Sequence, residues 1–245
     1  MNISIEIVPR DEDTVHAELA VIRESLPQVN MINIPDILRF KVRSWAACAV
    51  AKAHYPLAIP HIRAVDFDLH KPLPFLETFE KAGITSVLVV TGDISKNDLH
   101  AVHPNDSIGM IKKICREHPT WDVYAAIDPY RQSFQAEYRY AMEKLEAGAK
   151  GFFTQPFFDM HLMEVYADLL PRTDIYWGVS PVVTQRSQDY WETVNQAVFP
   201  RQFELSMDWN RQFAREALDF ARAREQHIYY MPIRVNVVEY LGGIL

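Results

Sequence analysis

Polar side chains capable of chemistry stand at or near the ends of apolar runs in this chain. Glu6 interrupts an apolar run near the start, and His61, Asp93 and Gln155 end or follow later runs. A carboxylate enclosed by apolar side chains has a raised pKa, which suits a proton donor near neutral pH. The amide of Gln155 can donate to and accept from the amide-like edge of a pterin or a flavin. Together the four residues predict a pocket that binds a heterocycle and moves a proton; for Glu6, the alternative is a structural ion pair with a buried Lys or Arg.

The scaffold that would gather these residues is predicted by short β-rich runs that alternate with longer helical periods. The runs are nearly continuous in apolar residues, as in strands that are covered on both faces. The predicted strands are Ile3–Val8, Val29–Ile34, Leu57–Ile62, Ser86–Val90, Asp122–Ile127, Gly151–Thr154, Ile175–Val179 and His227–Met231. The predicted helices lie near 12–25, 36–53, 73–82, 107–117, 133–147, 159–169, 185–197 and 209–225.

Eight β/α alternations without a linker predict a (β/α)8 TIM barrel, a single catalytic domain over residues 1–245. The rival is an open doubly wound sheet, which usually carries a Gly-x-Gly-x-x-Gly turn after its first strand, and none occurs here. In a barrel, chemistry gathers at the carboxyl ends of the strands, where the polar residues are predicted to lie. The long connection 200–210 is interpreted either as a substrate-covering loop or as a plain connector.

Composition narrows the class of function. A net charge of −7 argues against nucleic acid or an anionic membrane as the main partner. No apolar run approaches the roughly 18 residues of a membrane span, and no secretion signal opens the chain, so a cytoplasmic enzyme is expected. Cys48, Cys115 and the nine histidines have no metal-ligand or redox spacing, so no metal is expected. A homo-oligomer is compatible with the sequence.

Several motifs around these residues, in chain order, resemble the methylenetetrahydrofolate reductase family, the flavin-containing (β/α)8 enzymes of one-carbon metabolism. The block around the sixth strand is the most specific match, and the resemblance covers almost the whole chain. The motifs are Ile5-Glu-Ile-Val-Pro-Arg10, Pro60-His-Ile-Arg63, Thr91-Gly-Asp93, Glu146-Ala-Gly-Ala149, Thr154-Gln-Pro-Phe-Phe-Asp159 and Gly178-Val-Ser-Pro-Val182.

The resemblance implies roles for the residues on the folate side. Glu6 matches the glutamate that protonates N10 of the folate as its five-membered ring opens, and Gln155 matches the glutamine that orients the folate. Asp93 matches the aspartate that lies near both pterin and flavin. Two further substrate contacts are predicted, at Phe203 in the long late connection and at Arg234 after the last strand.

The resemblance also implies bound FAD, with NAD(P)H as co-substrate and a tetrahydrofolate derivative as substrate. His61 and Lys144 match flavin-contacting positions, together with Asp93, and Ile127 is predicted as a further cofactor contact. Hydride would pass from the nicotinamide to the flavin and then to the exocyclic methylene of the folate.

Departures from the family pattern fall mainly on the flavin side. Thr91 stands in place of an arginine, Asn33-Ile-Pro35 replaces a Thr-x-Gly motif, and Ile127-Asp-Pro-Tyr-Arg131 replaces a Tyr-Pro-Glu-x-His turn. A flavin-independent folate-binding barrel, a pterin-dependent methyl-transfer barrel and a non-catalytic assembly subunit are therefore the alternatives.

Overall fold

Eight parallel strands close into a barrel in the computed structural model, which describes residues 1–93, 101–170 and 173–245. Each strand pairs with the next in chain order, and the last pairs with the first. The strands are β1 (Ile3–Glu6), β2 (Met31–Ile34), β3 (Leu57–Arg63), β4 (Ser86–Val90), β5 (Asp122–Ile127), β6 (Gly151–Thr154), β7 (Asp174–Val179) and β8 (His227–Tyr230). The predicted (β/α)8 TIM barrel is confirmed, and every predicted strand end lies within two residues of the observed one.

Helices surround the barrel on its outer side. They are α1 (Glu12–Ser25), α2 (Ser44–Lys52), α3 (Leu76–Ala82), α4 (Ser107–Glu117), α5 (Phe134–Glu146), α6 (Met160–Leu169), α7 (Gln185–Val194), α8 (Met207–Ala223) and α9 (Val237–Leu241). Among these helices, none in the described part of the chain is long and apolar enough to cross a membrane.

The second helix is shorter than predicted. The pattern predicts a helix from residue 36, but α2 begins at Ser44. The carboxylate of Asp36 accepts a hydrogen bond from the backbone N–H of Ser44 at 3.1 Å, and it also binds the guanidinium of Arg43. Asp36 thus accepts a hydrogen bond from the first turn of α2 but lies outside the helix. Residues 36–43 form the connection that leads from β2 into α2.

Two apolar layers form on the two faces of the strands. The outer layer packs the strands against the helices, and the inner layer fills the barrel. In the inner layer the rings of Phe153 and Tyr176 stack at 3.9 Å, and Tyr124 meets both edge-on at 5.4 Å. Since Tyr124 and Tyr176 occupy the amino-terminal half of the barrel, open space remains at its carboxyl-terminal mouth.

Candidate active site

A cavity of about 320 Å³ opens at the carboxyl ends of the strands, the end at which β/α-barrel active sites lie. Five residues that the sequence predicts for the site line this cavity together: Glu6, His61, Asp93, Lys144 and Gln155. They come from β1, β3, the turn after β4, α5 and the end of β6. The barrel therefore brings residues that lie up to 149 positions apart to one cavity.

Three other predicted site residues lie elsewhere. The side chain of Ile127 is fully buried in the outer layer, because it alternates with Ala126, which faces the cavity. Phe203 is half-buried and packs against Phe199 and Trp209, with ring centroids 4.4 and 4.7 Å away. Arg234 is exposed and has a left-handed backbone with φ 59°. The structure does not bring these three side chains to the cavity wall.

Glu6 places a carboxyl inside the barrel. It is the last residue of β1, and its neighbours Ile5 and Ile7 point outward into the apolar layer beneath the helices. Although Glu6 is accessible from the cavity, the barrel encloses its carboxyl, and this burial raises the pKa of Glu6 to about 7. A hydrogen bond from the hydroxyl of Tyr229 offsets part of the rise. Glu6 can therefore hold a proton at neutral pH and release it.

Tyr229 is not among the residues that the sequence predicts for the site. It lies on β8, where it is buried, and the register of the closing strand pair sets Ser4 opposite it, two residues before Glu6. Because side chains alternate between the two faces of a strand, the sequence of β8 predicts that either Tyr229 or Tyr230 points into the barrel. Only the closure of β8 on β1 identifies Glu6 as the partner, since the two residues are 223 positions apart.

His61 faces the cavity as a neutral imidazole. Burial lowers the pKa of His61 to about 4, and the nearby charge of Asp36 offsets this only in part. Its Nε2 atom is buried and has no hydrogen-bond partner among the described residues. Its backbone is held in place, because the hydroxyl of Ser44 donates to the carbonyl oxygen of His61 at 2.8 Å. A buried ring nitrogen without a protein partner is suited to a polar atom of a ligand.

Arg63 is a second residue that sequence reasoning missed. Its Nη2 atom donates to the carbonyl oxygen of Asp93 at 2.7 Å, and its Nε atom lies 3.2 Å from a carboxylate oxygen of Asp66. The side chain crosses the turn after β4 at Gly92, whose φ is 93° and where a Cβ atom would come within 3.1 Å of the Arg63 Cβ. Thr91 stands where the family pattern has an arginine. In this chain the guanidinium of Arg63 reaches the same turn from β3.

Lys144 lines the cavity from the last turn of α5. Its Nζ atom donates to the carbonyl oxygen of Ala126 at 2.6 Å and sits 3.8 Å from the centre of the Tyr140 ring. Burial lowers the pKa of Lys144 to about 8, and the charge of Glu137 opposes that effect. The hydroxyl of Ser107, at the start of α4, lies 2.9 Å from the Tyr140 hydroxyl and also lines the cavity.

Gln155 is placed by the contact between β6 and β7. Its backbone N–H donates to the carbonyl oxygen of Ile127 at 2.7 Å. On the other side, a Cβ atom on Gly178 would come within 2.4 Å of the Thr154 carbonyl oxygen and 2.9 Å of the Gln155 carbonyl oxygen. The hydroxyl of Thr154 accepts the backbone N–H of Gly178 at 2.8 Å. Glycine is thus required at 178 for the strands to approach closely enough to hold Gln155 at the mouth.

A closed β/α barrel with a buried, protonatable carboxyl at its carboxyl-terminal mouth has the layout of a barrel enzyme. Sequence comparison defines the family within this class. The family model described as methylenetetrahydrofolate reductase matches residues 29–209. The chain belongs to the methylenetetrahydrofolate reductase family.

Curated relatives share only low identity with this chain. It is 28% identical over 123 residues to the 5,10-methylenetetrahydrofolate reductase of Buchnera aphidicola subsp. Schizaphis graminum (strain Sg), a match that covers 50% of this chain and 42% of the relative. It is 23% identical over 159 residues to the enzyme of the same name from Pectobacterium carotovorum subsp. carotovorum, covering 62% of this chain and 52% of the relative. The chain thus matches about half the length of these relatives.

Similar solved structures share the fold alone. A 2,3-dimethylmalate lyase of the PEP mutase/isocitrate lyase superfamily superposes with a TM-score of 0.59 at 9% identity, over 96% of this chain and 75% of that chain. Oxaloacetate acetylhydrolase in complex with oxalate superposes with a TM-score of 0.60 at 8% identity, over 94% of this chain and 75% of that chain.

Proposed function

We propose that the protein is an oxidoreductase of one-carbon metabolism that interconverts 5,10-methylenetetrahydrofolate and 5-methyltetrahydrofolate. The observation that carries the proposal is the Glu6 carboxyl, enclosed in the barrel of a member of this family and facing the cavity. With a pKa raised to about 7 by burial, Glu6 is present in both protonation states at neutral pH. Such a group can give a proton to a substrate and take it back in the reverse direction.

In this proposal Glu6 protonates N10 of the folate. The bond between N10 and the bridging methylene breaks, its electron pair stays on N10, and an iminium forms at N5. Loss of the proton leaves Glu6 as a carboxylate, and the hydrogen bond from Tyr229 stabilises that charge. Gln155 and Asp93, both on the cavity wall, hold the polar edge of the pterin and so keep N10 close to the acid.

The donors on the cavity wall fit FAD. His61 offers a buried Nε2 atom that has no partner in the described part of the chain, and Lys144 has one observed hydrogen bond, to a backbone carbonyl. Ser107 and Arg131 line the same cavity, as do the carboxylates of Asp128 and Glu137. The neutral imidazole of His61 and the cations of Lys144 and Arg131 suit a heterocycle that carries a phosphorylated tail. When bound, FAD would carry hydride between NAD(P)H and the folate.

The decisive test follows flavin and folate separately. We expect the purified protein to show visible flavin absorbance, which NADH bleaches and methylenetetrahydrofolate restores. Glu6→Gln should lower folate turnover by about 10²- to 10⁴-fold, the usual contribution of general acid catalysis, and leave flavin reduction by NADH nearly unchanged. Glu12→Gln on α1, outside the barrel, is the matched control.

The outcomes distinguish the alternatives. Folate turnover unchanged by Glu6→Gln would remove Glu6 from the mechanism. Colourless protein that gains no absorbance from added FAD would exclude the flavin. If such protein still oxidised NADH only in the presence of folate, hydride would pass directly between the two substrates.

A further inference from the structure

The carboxyl of Glu6 has two unequal oxygens. Oε2 accepts the hydroxyl hydrogen of Tyr229, whereas no described residue donates to Oε1. Both side chains line the cavity, so the pair is placed beside any ligand that enters it. A carboxyl that accepts a fixed donor on one oxygen carries its own proton more readily on the other.

Tyr229 is itself packed between neighbouring rings. Its ring meets Phe153 edge-on at 5.3 Å and His61 edge-on at 6.5 Å, and the residue is 3% exposed. Burial and the neighbouring charge of Glu6 raise the pKa of Tyr229 well above its ordinary value. The phenol therefore keeps its proton throughout the working pH range and acts toward Glu6 as a permanent hydrogen-bond donor.

We propose that Tyr229 is a positioning residue for Glu6: by holding Oε2, it leaves the acidic proton on Oε1 and directs that proton toward the cavity. The inference rests on the proposed function only in naming N10 of the folate as the acceptor. In the step itself, the proton leaves Oε1 for the ligand, and the resulting carboxylate keeps the Tyr229 hydrogen bond, which then becomes charge-assisted and stronger. Tyr229 is neither oxidised nor deprotonated.

Several charged groups that line the cavity with Glu6 have partners of their own or are neutral, and the carboxylate of Asp93 is exposed. On β3, His61 is neutral, and Arg63 pairs with Asp66. Beyond β2, Asp36 binds the guanidinium of Arg43. On α5, the amine of Lys144 donates to a backbone carbonyl. Burial and the Tyr229 hydrogen bond are the two causes that set the pKa of Glu6.

Removing the Tyr229 hydroxyl should therefore move the Glu6 titration in a known direction. We expect Tyr229→Phe to raise the midpoint by about one pH unit, since a hydrogen bond to a charged group is lost and the carboxylate is destabilised. The midpoint is read from the carboxyl ¹³C resonance of glutamate-labelled protein, in which Glu6→Gln identifies the signal. The same variant should lower kcat about tenfold and shift the pH profile of kcat upward with the titration.

Tyr230→Phe is the matched control. Tyr230 is the next residue on β8, is equally buried, and donates its hydroxyl to the carbonyl oxygen of Ala214 at 2.9 Å, on the outer side of the barrel. It should lose a buried hydrogen bond without moving the Glu6 midpoint. An identical Glu6 midpoint in wild type and Tyr229→Phe would overturn the inference, as would an equal shift in both variants.

The titration separates this inference from the proposed function. A shifted midpoint together with unimpaired folate turnover in Glu6→Gln would retain the Tyr229–Glu6 pair and reject the proposed reaction. A fixed midpoint together with lost turnover in Glu6→Gln would retain the reaction and reject the role of Tyr229.

Discussion

Arg63 donates from Nη2 to the backbone carbonyl of Asp93 at 2.7 Å, so that the end of β3 holds the turn after β4. The same guanidinium is anchored by Asp66, and Gly92 makes room for it. Asp93 is exposed at the cavity wall, and its backbone position depends on this cross-strand contact. The guanidinium at the Gly92-Asp93 turn thus comes from the neighbouring strand β3, while position 91 is a threonine.

We expect Arg63→Ala to weaken folate binding and to lower stability. Hydrogen bonds to charged groups contribute about 1.5–3 kcal/mol to the free energy of unfolding. For a chain of this size we therefore expect Tm to fall by about 5 °C. Arg63→Lys should recover little of the stability or the folate binding, because one ammonium group cannot reach both Asp66 and the Asp93 carbonyl. The measurements are thermal unfolding and the KM for folate. Arg39→Ala, exposed and outside the cavity, is the control, and an equal rise in KM there would contradict the assignment.

Gly178→Ala should damage the site through the backbone. The added methyl group would lie 2.4 Å from the Thr154 carbonyl oxygen, so β6 and β7 must separate and Gln155 must move. Overpacking of this kind costs about 1–3 kcal/mol, and folate affinity should fall with stability. Gly109→Ala on α4 meets the end of the flexible Leu69 side chain at 3.2 Å and should be close to neutral. Denaturant unfolding and folate titration measure both effects; wild-type affinity in Gly178→Ala would show that Gln155 is not positioned this way.

Glu6 should make the protein less stable as the pH rises. The pKa of Glu6 is about 7 in the folded state, against 4.5 for an ordinary glutamate in the unfolded chain, so the folded state binds the extra proton between these values. The stabilisation is fully present below pH 4.5 and is lost as the pH rises through 7. The difference corresponds to about 3 kcal/mol. Glu6→Gln should remove this part of the pH dependence, measured as the free energy of unfolding from pH 4 to 8; an unchanged slope would argue against a buried acid.

The titration of His61 should change stability in the opposite direction, so that the protein becomes less stable as the pH falls. The pKa of His61 is lowered to about 4 from 6.5. Between these pH values the imidazole is protonated in the unfolded chain and neutral in the folded chain. This contribution to stability is present above pH 6.5 and is lost as the pH falls toward 4. In ¹⁵N spectra the imidazole of His61 should stay neutral from pH 5 to pH 8, with His61→Gln used to assign its signals. A midpoint near the ordinary histidine value, about 6.5, would contradict its burial as a neutral ligand contact.

Lys144 should make flavin affinity pH-dependent. Its pKa is lowered to about 8 by burial, so its positive charge is lost as the pH rises through that value. We expect the Kd for FAD to rise above pH 8, and we expect Lys144→Met to weaken binding about tenfold or more at neutral pH. Lys150→Met removes a lysine paired with Asp122 at the opposite end of the barrel and should leave the Kd unchanged. A pH-independent Kd in wild type would remove Lys144 from the proposed flavin site.

Local sequence pattern was sufficient for the architecture and for part of the site. The eight strands are visible because a buried parallel strand must be apolar on both faces, and a polar residue such as Glu6 or Gln155 stands out against that background. The same two-residue period places the side chain of Ile127 outside the cavity, because Ala126 faces inward, so the cofactor contact of Ile127 stays a prediction. Phe203 and Arg234 do not line the cavity, and their irregular connections have no period from which the direction of a side chain could be predicted.

The sequence by itself determined the barrel, the family and the inward carboxyl of Glu6, because these depend on periodicity and motifs within a few residues of each other. Only the tertiary structure decided which groups meet. The contacts of Tyr229 with Glu6 and of Arg63 with Asp93 follow from barrel closure and strand register, which bring together residues 223 and 30 positions apart. No local pattern encodes such distances, because the partner of an inward side chain depends on how far each neighbouring strand is shifted along its own axis.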